Sequence, residues 1–167
     1  MRCGWRQVTA LGVVLGLSGL NSSIAAGPSN GLRYPQGWQD WSTLAVSHRT
    51  DNGTVRVILG NEIAIAAARR GETQPWPDGA ILGKVVWKAE ALADWPAAIG
   101  PGAFVHAEFM ARAEDAGETG WRWGRWVGAE LTPFEQGDAQ CIACHSPVKS
   151  RDWVFTEPAA VPLDPDG

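Results

Sequence analysis

Phe104-Val105-His106-Ala107-Glu108-Phe109-Met110-Ala111 alternates with a period of two: Val105, Ala107 and Phe109 share one side, and His106, Glu108 and Met110 share the other. This is the signature of a strand with one apolar face. Trp121 to Val127 and Ala80 to Trp87 are also strand candidates, the latter setting Ile81, Gly83, Val85 and Trp87 against Leu82, Lys84 and Val86. Trp41 to Ser47 and Thr54 to Leu59 are further strand candidates, and the Asp51-Asn52-Gly53 turn between them suits a hairpin. A single helix interrupts the series. Asn61 precedes Glu62-Ile63-Ala64-Ile65-Ala66-Ala67-Ala68-Arg69-Arg70-Gly71, a run with an N-cap, an early acid, late bases and a terminal glycine. Strands in hairpin succession with few helices predict an α+β fold built mainly on an antiparallel β-sheet.

The flanks bound this domain to residues 41–156. Residues 1–25 open with Arg2 and Arg6, continue through an apolar run from Val8 to Leu20, and end in small residues, as a secretory signal peptide does. The apolar run is too short for a mature membrane-spanning helix. The expected destination is the periplasm. Residues 26–40 read as an extended lead-in, and 157–167, with three prolines, as an irregular tail. Removing the leader takes two of the 14 basic residues and none of the 18 acidic ones, which leaves a net charge of −6. Such a surface argues against nucleic acid as a partner.

Without Cys3, which lies in the leader, the remaining cysteines are Cys141 and Cys144. In an oxidising compartment the pair becomes a disulfide, a metal site or a cofactor attachment. Cys141-Ile142-Ala143-Cys144-His145 has the C-x-x-C-H spacing that attaches haem c. On one helical turn, positions i, i+3 and i+4 share a face, so two thiols reach the vinyl groups while the imidazole reaches the iron. Asp138 is placed to cap that helix and Pro147 to stop it. A zinc knuckle lacks a second cysteine pair, with only His48, His106 and scattered carboxylates to complete it. A redox dithiol lacks its usual βαβ setting.

For the iron's sixth position, Met110 sits in a strand among charged neighbours, and His48 and His106 are the other candidates. The expectation is a five-coordinate iron with an open face, suited to small-ligand chemistry.

With that motif at the end of a β-rich chain, the sequence resembles the cytochrome P-460 family, which includes cytochrome c′-beta. The matching segments are Val55 to Asn61, Trp76-Pro77-Asp78-Gly79, Gly83 to Lys88, Pro101-Gly102, Gly120-Trp121, Gly124-Arg125-Trp126, Cys141 to His145 and Asp152 to Thr156. The resemblance implies an antiparallel sheet with helices beside it, usually as a homodimer, and haem with His145 as proximal ligand. One branch of the family carries a lysine bonded to the porphyrin edge and oxidises hydroxylamine, passing electrons to an external acceptor such as a soluble cytochrome c. The c′-beta branch lacks that bond and binds nitric oxide or carries electrons.

The position of Lys84 resembles that of the cross-linking lysine, and Lys88 is the reserve candidate. Burial between apolar neighbours would favour the neutral, nucleophilic amine; a lysine that snorkels to water or pairs with a carboxylate is the plainer alternative. Glu108 resembles the acid of the cross-linked pocket, a proton acceptor for which His106 is a relay, although the same pattern fits a solvent-facing row. Arg125, before Trp126, resembles the family's Arg-Trp pair. It is a candidate for a haem propionate or a distal ligand, or simply an arginine stacked on neighbouring indoles. The c′-beta pocket is marked by distal phenylalanines. This chain offers only Phe104, Phe109, Phe134 and Phe155.

Overall fold

The computed structural model describes residues 27–159. The expected signal peptide lies outside the described residues, as do residue 26 of the lead-in and residues 160–167 of the tail. Six strands form one antiparallel sheet in chain order: β1 (Ser42–Arg49), β2 (Thr54–Gly60), β3 (Ile81–Leu92), β4 (Trp95–Arg112), β5 (Trp121–Val127) and β6 (Thr132–Pro133). Helix α1 (Glu62–Arg70) connects β2 to β3, and helix α2 (Ala139–His145) follows β6. The α+β expectation holds, with a meander as its sheet.

Local chemistry explains these elements. The Asn61 side chain accepts from the backbone N–H of Ala64 at 3.0 Å and of Ile81 at 3.1 Å, and donates to the Gly79 carbonyl at 2.9 Å. One residue therefore caps α1 and ties its start to β3. Gly71 ends the helix at φ +71°, the left-handed conformation that glycine adopts without a Cβ penalty. At Gly83 the need is for space: a Cβ there would lie 2.8 Å from the Phe109 ring of the next strand.

Two strands exceed their expected limits. Beyond Trp87 and before Phe104, β3 and β4 continue as a long arm, with Ala89 opposite Pro101, Ala91 opposite Ile99, and three breaks in register. Prolines and glycines hide this part from periodicity, and bulges accommodate them. Leu92, Trp95 and Ile99 are exposed on the arm.

The sheet has two different sides. Behind it, Tyr34 and Trp38 of the lead-in, with Trp41 at the start of the domain, pack with Phe109 and Trp126, rings meeting edge to face at 5.0–6.5 Å. The lead-in is thus fastened rather than merely extended: Ser29 and Leu32 form a small bridge, and the indole N–H of Trp126 donates to the Gly27 carbonyl at 2.7 Å. In front, Ala64 and Ala67 of α1 join Leu44, Ile58, Leu82, Met110, Trp121, Trp123 and Trp153, with Cys141 and Ile142 of α2 packed partly against this core.

Candidate functional site

A cavity of about 820 Å³ opens between the front of the sheet and the C-terminal segment, within the range of cofactor pockets. Lys84, Glu108 and Arg125 reach it from β3, β4 and β5, and Cys141, Cys144 and His145 from α2.

The helix presents its ligands with help that the motif alone does not reveal. Asp138 occupies the N-cap position without a side-chain hydrogen bond, contrary to expectation, so its backbone carbonyl alone engages the helix. Helix α2 does end at His145, two residues before Pro147. That proline sits in the first turn of a 3-10 helix, Ser146–Arg151, where a missing N–H costs nothing. The chain then passes through left-handed residues Asp152 (φ +51°) and Trp153 (φ +64°), a costly conformation for residues with side chains. Asp152 is held there by the Trp76 N–H at 2.8 Å, Arg112 Nη1 at 3.2 Å and the Trp121 indole N–H at 3.0 Å. The result aims the Trp153 carbonyl at His145, whose Nδ1–H donates to it at 2.7 Å. That bond selects the tautomer with a free Nε2, the arrangement metal-bound histidines require. Burial lowers the His145 pKa, with the Trp153 bond opposing it, and the neutral imidazole is the form that ligates iron. Trp123 and Phe155 bracket the ring edge to face, at 4.8 and 5.1 Å.

On the opposite wall, antiparallel register places Lys84 across from Glu108 and Glu108 across from Arg125. Glu108 accepts from Lys84 Nζ and from Arg125 Nε, the latter at 2.6 Å, and lies 3.4 Å from His106 Nε2. Burial alone would raise the Glu108 carboxyl, but Lys84, His106 and Arg125 together outweigh it and bring the pKa down to about 2. His106 adjoins Glu108 without lining the cavity, and burial lowers its pKa despite the neighbouring carboxylate. The Arg125 guanidinium lies over Phe134 at 5.2 Å rather than on the flanking indoles. Met110 reaches the wall; His48 does not, and Lys88 is exposed away from it. Sequence reasoning missed Asp152 and Trp153 as supports of His145, and Arg49 and Arg56, which also line the cavity.

Two thiols three residues apart, an oriented imidazole and an enclosing cavity form a set of groups suited to a porphyrin and its iron. Among the described residues, no cluster of three or more histidine, cysteine or acidic side chains provides a metal cage instead. The fold and site together define a haem protein. Residues 35–156 match the family model for Cytochrome P460, and the chain belongs to that family. A search of curated proteins finds no match to the chain.

Proposed function

We propose that this is an exported, periplasmic c-type haem protein that oxidises hydroxylamine to a nitrogen oxide, its haem bonded to Cys141 and Cys144 and ligated by His145. The observation that carries the reading is the placement of the Glu108 carboxylate and the His145 imidazole on two walls of one cavity. A bound haem would supply an iron face for a small nitrogenous ligand and a route for electrons to an external acceptor such as a soluble cytochrome c. Hydroxylamine oxidation releases protons as well as electrons, and Glu108, the less exposed of the two carboxylates that line the cavity, is positioned to accept them. Arg125 holds that carboxylate in place, and His106, beside it, passes protons onward. Lys84 is the candidate for the bond to the porphyrin edge.

A specific contact favours a second reading. Lys84 is ion-paired with Glu108, and a protonated amine has no lone pair with which to attack a porphyrin carbon. If the pair persists in the mature protein, the chain is a c′-beta-like carrier that binds nitric oxide or transfers electrons. Peptide mapping of purified protein separates the two. The enzyme reading expects the tryptic peptide containing Lys84 to carry haem and the ferrous Soret band to be red-shifted. Recovery of that peptide free of haem, with an ordinary high-spin spectrum, leaves the carrier.

A further inference from the structure

The cavity has a second cationic corner that the chemistry above leaves unused. Ser47 and Arg56 are directly opposite in the β1–β2 register, and Arg49 follows two residues after Ser47 on the same side, so all three border the cavity together. Arg49 pairs with Asp51 at the exposed rim. Arg56 has no such partner: among the described residues, no carboxylate lies within ion-pair distance of it. Its Nη2 donates to Thr54 Oγ1 at 2.7 Å, while its Nε–H is buried with no acceptor. Leaving a buried charged donor unpaired costs more than an ordinary lost hydrogen bond, and the neighbouring Arg49 adds repulsion. An anion on this corner would answer both penalties. Arg125, which the sequence offers as one candidate for such a role, has its Nε committed to Glu108.

We infer that Arg56, assisted by Arg49, binds a propionate carboxylate of the haem and thereby sets how the porphyrin lies in the cavity. The inference rests on the haem reading above. A guanidinium meets a carboxylate with parallel N–H donors, and the unpaired Nε–H supplies one member of such a fork. Haem carries two carboxylates, and the cations Lys84 and Arg125 of the same cavity are already paired with Glu108. Arg56 is a positioning residue in this scheme and touches no reacting atom.

The test uses the purified holoprotein, with Arg56→Gln, Arg56→Lys and, as a charge control, Arg69→Gln on the exposed end of α1. The readouts are the haem reduction potential as a function of pH and the propionate vibrations in the resonance Raman spectrum. Losing a nearby cation favours the more positive, oxidised iron, so Arg56→Gln is expected to lower the potential. The propionate pKa should rise by about 1–3 units, moving the bend in the potential–pH curve upward. Arg56→Lys should fall between, and Arg69→Gln should match the wild type. If Arg56→Gln fails to mature, the lysine variant decides by the same readouts.

Wild-type curves and vibrations in Arg56→Gln and Arg56→Lys overturn the inference. So does a potential that responds to added nitrite only when Arg56 is present, with unchanged propionate vibrations, because the corner would then bind a free anion. A colourless wild-type protein overturns the haem reading itself, which distinguishes the two failures.

Discussion

Lys84 and Glu108 stand directly across the β3–β4 register, and the carboxylate accepts from the ammonium inside the cavity wall. Glu108 is thereby stabilised as an anion, its pKa brought from 4.5 down to about 2. A group with a depressed folded pKa contributes stability above its unfolded pKa and loses it as pH falls through the folded value. The window is therefore about pH 4.5 to 2, and the contribution is on the order of 3 kcal/mol. Thermal unfolding of wild type and Glu108→Gln across this range should show the stability difference shrinking as pH falls. A constant difference would contradict the assignment.

The same pair predicts how a bond from Lys84 to the porphyrin would alter the acid. Burial pushes Glu108 upward, and Lys84 is the largest of the influences pulling it down. An amine bonded to the porphyrin edge loses its charge, so Glu108 becomes a stronger proton acceptor. Hydroxylamine turnover requiring ionised Glu108 should then have its acidic limb at higher pH than the folded value of about 2. Lys84→Met should shift the Glu108 titration, followed by carbon NMR, in the same upward direction. Glu108→Gln should reduce turnover by about 10²–10⁴-fold if proton acceptance is its role.

Cys141 and Cys144 are expected to make the haem inseparable from the chain. Acidified organic solvent should leave colour on the wild-type polypeptide, while the Cys141→Ala, Cys144→Ala double variant should release all of it. Intact mass measured on both proteins checks this. His145→Ala should retain the covalent mass yet lose the imidazole-ligated spectrum.

Asn61 joins two elements through three hydrogen bonds, to Ala64, Ile81 and Gly79. Asn61→Ala should destabilise the fold by about 1–3 kcal/mol, combining a lost helix cap with unsatisfied groups between α1 and β3. Denaturant unfolding should show a lower midpoint with little change in slope.

If the chain forms the homodimer that the family resemblance implies, the exposed apolar residues Leu92, Trp95 and Ile99 on the β3–β4 arm are a surface for it. Trp95 is 66 % exposed, which is unusual for so large an apolar ring. Trp95→Asp should shift the protein from dimer to monomer in light scattering at micromolar concentration. An unchanged dimer mass would place the interface elsewhere.

Part of the sheet was legible because alternation in 104–111 marks Ala107 and Phe109 as buried, whereas 121–127 buries Trp121 and Trp123 in front and Trp126 behind. The α1 boundaries followed from Asn61 and Gly71 for equally local reasons. The arm escaped because Pro96, Gly100, Pro101 and Gly102 lie where strands need neither strict pairing nor a covered face. At the site, spacing brings Cys141, Cys144 and His145 together within one helix. The row Lys84, Glu108, Arg125 depends instead on long-range register, which no single segment encodes; resemblance, not periodicity, pointed to it. Arg56 carried an unread signal. It has the same parity as Ile58, which is buried, so its guanidinium was bound to face inward.

Helix α2 buries none of its seven residues completely, although it carries both cysteines and the histidine. A haem bound there as proposed would supply the cover that the helix lacks. If the thioethers form as proposed, residues 139–151 would gain a rigid plate packed between them and the strands. Maturation should thus be visible as a sharp slowing of amide exchange in this segment, making the pigment a structural beam as well as a reagent.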